Sequence, residues 1–179
     1  MKHLFSAVAW LAMAATPVSA ASLLHPMFTS HAVLQRDRPI NVYGDTRPGD
    51  MVTVAMAGKQ ATTLADEHGH WRAELPAPPA GGPYTLTASD SSGARQQVDD
   101  VLVGDVFLCT GQSNMQFTVA GAQNARAEIA AATDDQVREL DVERVASTTP
   151  LSTFTKPVEW KVESPQTAGG CSASCFFRA

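Results

Sequence analysis

Ser113 is the side chain whose neighbours best suit it to chemistry. It follows Val106-Phe107-Leu108-Cys109-Thr110-Gly111-Gln112, an apolar run that stops at a glycine. A buried strand ending this way delivers a hydroxyl to the carboxyl end of a sheet, where ligands bind in open α/β folds. A serine hydroxyl is a weak nucleophile until a base takes its proton. A helix starting here would aim its free N–H groups at a developing oxyanion. The backbone N–H of Ser113 or Asn114 could then hold a tetrahedral intermediate, a kind of donor worth about 10² to 10³ in rate. Gly111 permits the sharp turn. Met115 stands where Gly-x-Ser-x-Gly has its second glycine, so the usual α/β-hydrolase elbow is a poor match. Thr110 and Ser113 are also favoured helix N-caps. On spacing alone, nucleophile and cap remain equally open.

A base is harder to find. The five histidines are His3, His25, His31, His68 and His70, and all precede Ser113. Asp134, Asp135, Asp141 and Glu163 follow it, but no histidine follows any of them. Glu67 and His70 are three apart around Gly69 and read as a solvated loop. The three cysteines are Cys109, Cys171 and Cys175. Cys109 reads as a small core hydrophobe. Cys171 and Cys175 lack the histidine or second thiol pair that zinc needs, so no metal site is expected. A disulfide between them would suit an irregular turn better than a helix. Serine ester hydrolysis needs no cofactor, and none is expected.

The elements that must position Ser113 fall into two regions. Residues 21–103 read as short strands over 32–35, 39–43, 51–56, 60–65, 70–75 and 84–89. They are punctuated by turns such as Pro48-Gly49-Asp50, Ala57-Gly58 and Gly81-Gly82-Pro83. Turn signals at this spacing predict a small antiparallel β-sandwich. Trp71 and Tyr84 are expected in its core, with sugar stacking by Trp71 the less favoured reading. Residues 104–179 change pattern: an apolar strand over 105–109, a helix over 122–132, then a strand over 136–142. Residues 147–157 read as loop, 160–162 as extended, and 172–179 as the opening of a helix. Strand–helix alternation predicts a parallel sheet with helices on its faces. The fold class is therefore mixed β and α/β. Typical sheets have about 4–6 strands, which 104–179 cannot supply, so this second unit reads as incomplete. Phe107, Leu108, Phe176 and Phe177 would lack partners to bury against.

Residues 1–20 read as a signal peptide. Lys2 supplies the charged start, an apolar stretch follows, and Val18-Ser19-Ala20 provides small residues for cleavage. The run is too short for a membrane anchor, so export to the periplasm or outside the cell is expected. The formal net charge of −5 leaves no basic footprint for nucleic acid. The oligomeric state is not legible.

Gly111-Gln112-Ser113-Asn114-Met115, preceded by Val101-Leu102-Val103-Gly104-Asp105-Val106-Phe107-Leu108, resembles the sialate O-acetylesterase family of SGNH-type hydrolases. Val33-Leu34-Gln35-Arg36, Tyr43-Gly44, Pro48-Gly49-Asp50 and Gly81-Gly82-Pro83-Tyr84 are similar to the same family, as is Asp66 through Gly69 to Trp71. So are Trp160, Ser164-Pro165 and Thr167-Ala168-Gly169-Gly170. The resemblance implies a β-sandwich leading into a three-layer SGNH-type α/β hydrolase domain. It implies hydrolysis of O-acetyl esters on sialic acid or a related small sugar, releasing acetate. Ser113 would be the nucleophile, with its own N–H as one oxyanion donor, Asn114 a second, and Gln112 a substrate contact. The family's later oxyanion residues, catalytic histidine and partner acid have no match here. The 179-residue chain is thus expected to be a truncated esterase. The alternative is a non-catalytic β-sandwich remnant that binds carbohydrate or a partner.

Overall fold

A computed structural model describes residues 22–172. The expected signal peptide, Cys175, Phe176, Phe177 and most of the expected terminal helix lie outside the described residues. The chain is mostly β. Strands β1 (Val33–Gln35), β3 (Met51–Met56), β4 (Lys59–Leu64), β6 (Gly81–Asp90) and β7 (Arg95–Gly104) form one sheet, in the order β1-β7-β6-β3-β4. β1 runs parallel to β7 and the other pairs are antiparallel. β2 (Ile40–Asp45) and β5 (His70–Leu75) make a second, antiparallel pair.

Alternation explains why these segments are strands. Ile40 and Val42 in β2, Val52, Val54 and Met56 in β3, and Trp71, Ala73 and Leu75 in β5 are buried, with more exposed residues between them. Successive side chains on a strand point to opposite faces, so each strand offers one apolar face. Those faces meet in a single core with Leu24, Phe28, Leu86, Val98 and Val101. Ala57 and Gly58 both have positive φ and join β3 to β4, placing Met56 opposite Lys59. Two consecutive left-handed residues are what a tight hairpin requires. Trp71 is a core residue, 3% exposed, whose Nε1 donates to the Leu23 carbonyl at 3.1 Å. Tyr84 is half-buried against the same core.

The expected strands match β1 to β6 within a few residues, but Gly81 to Pro83 start β6 rather than forming a separate turn. β7 was not among the strands expected. Its Asp99-Asp100 pair breaks the alternation, Asp100 has φ 54, and the register against β6 shifts there.

Beyond Gly104 the expectation needs correcting. Residues 105–109 form no strand, and Phe107 and Leu108 are 80% and 90% exposed. A strand of a parallel sheet must be covered on both faces, and no described strand pairs with this one. The chain instead makes 3₁₀ turns at Ser113–Gln116 and Val119–Gly121 and a short helix α1 (Ala125–Ala131). β8 (Arg138–Leu140) and β9 (Trp160–Val162) then pair antiparallel. The predicted helix and the strand over 136–142 are present but shorter, the extended segment over 160–162 has the expected bounds, and the two strands pair antiparallel rather than in a parallel sheet.

One surface pair gives a pH signature. His70 Nδ1 lies 2.5 Å from Asp45 Oδ1. This hydrogen bond, together with the carboxylate charge, raises the His70 pKa above 6.5. A raised folded-state pKa means the pair's contribution is full below pH 6.5 and is lost as pH rises through the folded value. In an NMR titration His70 is expected to titrate above 6.5, and Asp45→Asn to move its midpoint down. A His70 midpoint at or below 6.5 in the unaltered chain would contradict the pairing.

Candidate active site

The path to Ser113 begins where β7 ends. Arg36 N–H donates to the Gly104 carbonyl at 2.9 Å, and its Nε pairs with Asp105 Oδ1 at 2.9 Å. Gln35 Oε1 accepts from the Val106 N–H at 2.9 Å. The hydrogen bond from Arg36 holds the Asp105 carboxyl below its ordinary value, against slight desolvation. Two motifs far apart in sequence, Val33 to Arg36 and Val101 to Val106, are therefore partners in space. They fix the direction in which the chain leaves the sheet.

Gln112, not Ser113 or Thr110, is the N-cap of the Ser113–Gln116 turn, and no side chain caps it. The cap reading of Ser113 is not the observed arrangement. Ser113 and Asn114 are exposed, as is Gln112. The Ser113 hydroxyl makes no hydrogen bond among the described residues. Its N–H and that of Asn114 donate to no carbonyl, whereas Met115 N–H donates to Gln112 and Phe117 N–H to Asn114. A Cβ on Gly111 would lie 2.5 Å from Met115 Cγ, so glycine lets the turn fold back on itself. A hydroxyl and two unpaired amides thus share one exposed turn.

Small contacts brace this turn from the C-terminal side. Val119 is buried and donates its N–H to the Cys171 carbonyl at 3.0 Å. Ile129 packs over Gly169, where a Cβ would lie 3.3 Å from Ile129 Cδ1. Thr167 Oγ1 donates to the Val162 carbonyl and its hydroxyl accepts from Ser164 N–H, closing the turn after β9. Cys171 is disulfide-bonded and Cys109 is a free, half-buried thiol.

No histidine or carboxylate hydrogen-bonds Ser113 among the described residues. Asp134 accepts from Gln136 N–H, Asp135 accepts from the Gln136 amide, Asp141 is exposed and Glu163 is buried. His68 lies in the exposed turn after Asp66 and His70 opens β5, and Asp66 Oδ1 accepts from both of their N–H groups. His31 Nδ1 lies 2.6 Å from Asp100 Oδ2. The same carboxylate oxygen takes Arg138 Nη2 at 3.1 Å. This joint was not foreseen, because its members are 38 and 69 residues apart. The only local cue was an aspartate at a point where the alternation fails. The Arg138 side chain is 4% exposed. Asp100→Ala strands that charge in the interior and is expected to lower stability by roughly 2–3 kcal/mol, discounted for the part-exposed carboxylate. Urea unfolding checks this, and a loss under about 0.5 kcal/mol, the usual surface range, would contradict it.

Among the described residues no group of three or more His, Cys, Asp or Glu could hold a metal ion. No helix among them is long and apolar enough to cross a membrane.

Comparison with known proteins places this architecture. Mouse sialate O-acetylesterase is 34% identical over 146 residues, covering 75% of this chain and 26% of that protein. The human sialate O-acetylesterase is 35% identical over 97 residues, 49% of this chain and 18% of that one. A solved carbohydrate acetylesterase from Xanthomonas citri superposes with a TM-score of 0.81 at 42% identity, covering 86% of this chain and 35% of that chain. No protein-family model matches the chain. The fold is therefore shared with the solved carbohydrate acetylesterase over most of this chain. The chain spans about a quarter of the mouse protein's length and about a third of the solved structure's. The chain belongs to a sialate O-acetylesterase-like family, an esterase family.

Proposed function

We propose that this chain carries the nucleophile-bearing portion of a serine esterase that removes O-acetyl groups from sialic acid or a related sugar. Ser113 Oγ attacks the acetyl carbonyl while a base takes its proton. The N–H groups of Ser113 and Asn114 receive the oxyanion, with Gln112 beside the sugar. Collapse breaks the ester C–O bond and gives acetyl-Ser113 and a protonated sugar hydroxyl. Water then releases acetate and restores the serine. The observation that carries this reading is the exposed Gly111-Gln112-Ser113-Asn114-Met115 turn, whose hydroxyl and two amides have no protein partner among the described residues.

The reading divides the chain into an exported leader over 1–20, a β-sandwich over 21–103 and the opening of an SGNH-type domain over 104–179. The protein works in the periplasm or outside the cell, on a small acetylated sugar and without a cofactor. Among the described residues no histidine or carboxylate hydrogen-bonds Ser113, so in this reading the chain by itself is expected to be a poor catalyst. Fluorophosphonate labelling and acetyl-ester turnover test the proposal, with Ser113→Ala as control. Turnover or labelling that vanishes in that variant supports Ser113 as the nucleophile. Turnover indifferent to it would overturn the assignment. A non-catalytic β-sandwich remnant that binds carbohydrate or a partner is the second reading, for which the exposed Val106, Phe107 and Leu108 would offer an apolar contact surface.

A further inference from the structure

Ser113 and Gln116 are the first and last residues of one 3₁₀ turn. In a 3₁₀ helix side chains three apart eclipse, and the rise is about 2 Å per residue. Gln116 therefore stands on the same face as the Ser113 hydroxyl, roughly 6 Å along the turn. Both residues are exposed. The Gln116 carboxamide, turned with its oxygen toward the guanidinium, accepts from Arg144 Nε at 3.2 Å and from Arg144 Nη2 at 3.1 Å. Arg144 is an exposed residue of the connection between β8 and β9. The fold thus lays a cation from a distant segment against the serine turn.

What this arginine has left to donate decides its role. A guanidinium carries five N–H donors in a plane. Gln116 takes one edge of that plane, through Nε and one Nη2 hydrogen. The outer fork of Nη1 and Nη2 hydrogens stays open, and its spacing matches the two oxygens of a carboxylate. Among the described residues no carboxylate pairs with Arg144. Its neighbour Glu143 is held by Lys156 at 2.6 Å. Arg36 and Arg138, by contrast, are each spent on an aspartate. A neutral amide fixes Arg144 in place without cancelling its charge. In a chain of net charge −5, that leaves an uncompensated cation beside the proposed nucleophile.

We propose that Arg144 is a specificity-determining residue of the Ser113 site, whose open fork takes the carboxylate of an acidic acetylated sugar and so selects it over a neutral one. The role in catalysis rests on the reading of Ser113 as nucleophile. NMR titration of the isotope-labelled 179-residue chain tests it. The probes are an O-acetyl N-acetylneuraminic acid as the free acid and as its methyl ester, which lacks only the negative charge. The acid is expected to shift the Gln116 side-chain amide and to bind about fivefold more tightly than the ester, the upper end for an exposed ion pair. Arg144→Gln should bring that ratio close to one. Arg144→Lys should restore only part of it, because an ammonium group has no fork. Arg126→Gln removes an exposed arginine of α1 and should leave the ratio unchanged. All three substitutions are at exposed positions, so Tm is expected to stay the same. The proposal is overturned if neither probe binds, or if acid and ester bind the parent within about twofold of each other, inside the range of exposed pairs that contribute nothing measurable. It is also overturned if the preference survives Arg144→Gln, or if Arg126→Gln lowers it equally and so reduces it to net charge. Fluorophosphonate labelling of Ser113 is scored separately. Labelling without acid preference removes Arg144's role alone, and acid preference without labelling removes the nucleophile reading alone.

Discussion

The purified 179-residue chain is expected to cleave p-nitrophenyl acetate on the order of 10⁶-fold more slowly than a complete serine hydrolase, because loss of the base costs about as much as loss of the whole triad. The reason lies in the proton. Ser113 is exposed and unpartnered, so at neutral pH its hydroxyl stays protonated and weakly nucleophilic. All five histidines precede it in the sequence, and those among the described residues are engaged elsewhere or remote in contact. The two free amides alone would leave a residual advantage over water of about 10³ to 10⁴. A chimera that continues from Ser172 into the C-terminal part of the Xanthomonas citri protein should recover turnover. Ser113→Ala in that chimera should then lower kcat on the order of 10⁶-fold, with KM little changed. Fast turnover by the 179-residue chain that depends on Ser113 would show that a base is present after all. An active chimera indifferent to Ser113→Ala would remove Ser113 from the mechanism.

The largest expected effect on stability comes from Trp71. Replacement by alanine should cost about 3–5 kcal/mol, the usual penalty for emptying an aromatic core site. Small domains have only about 5–15 kcal/mol in total, so this variant would be near unfolding. Trp71 lies on β5, contributes to the core shared by both sheets, and bonds the Leu23 carbonyl through Nε1. That bond ties the segment before β1 to the second sheet. The Leu23 carbonyl also accepts from Asp45 N–H at 3.2 Å, so Trp71→Phe removes one donor without leaving the oxygen bare. Its expected cost is only about 1–2 kcal/mol, a lost neutral hydrogen bond plus some packing. Urea unfolding followed by far-UV circular dichroism checks both. A loss below about 1 kcal/mol for alanine would mean that Trp71 is not a core anchor.

Much of the β architecture was legible because its signals are local. Val52-Thr53-Val54 alternates within one strand, and Ala57-Gly58 turns within two residues. Neither needs information from elsewhere in the chain. The exception is β7, whose Arg95-Gln96-Gln97 and Asp99-Asp100 read as polar coil. Its strand character depends on β1 and β6 pairing on either side of it. The opposite error arose at 105–109. Val106-Phe107-Leu108 has the composition of a buried strand, but a strand exists only where neighbours take up its N–H and C=O groups. Here only the Val106 N–H is met, by the Gln35 side chain, no described strand pairs with the segment, and the phenylalanine stands in solvent.

The candidate site divides along the same line. Sequence by itself singled out the proposed nucleophile, its glycine-led turn, the absence of a histidine after it and the family that those residues resemble. These depend on residue identity and short spacing. Tertiary structure alone decided that Gln112 caps the turn, leaving the Ser113 hydroxyl and two amides unpaired. It also decided that Arg36 and Gln35 anchor the segment leading there, and that Asp100 binds both His31 and Arg138. Each of these rests on residues brought together across tens of positions by burial of the common core, a pairing that no local pattern records.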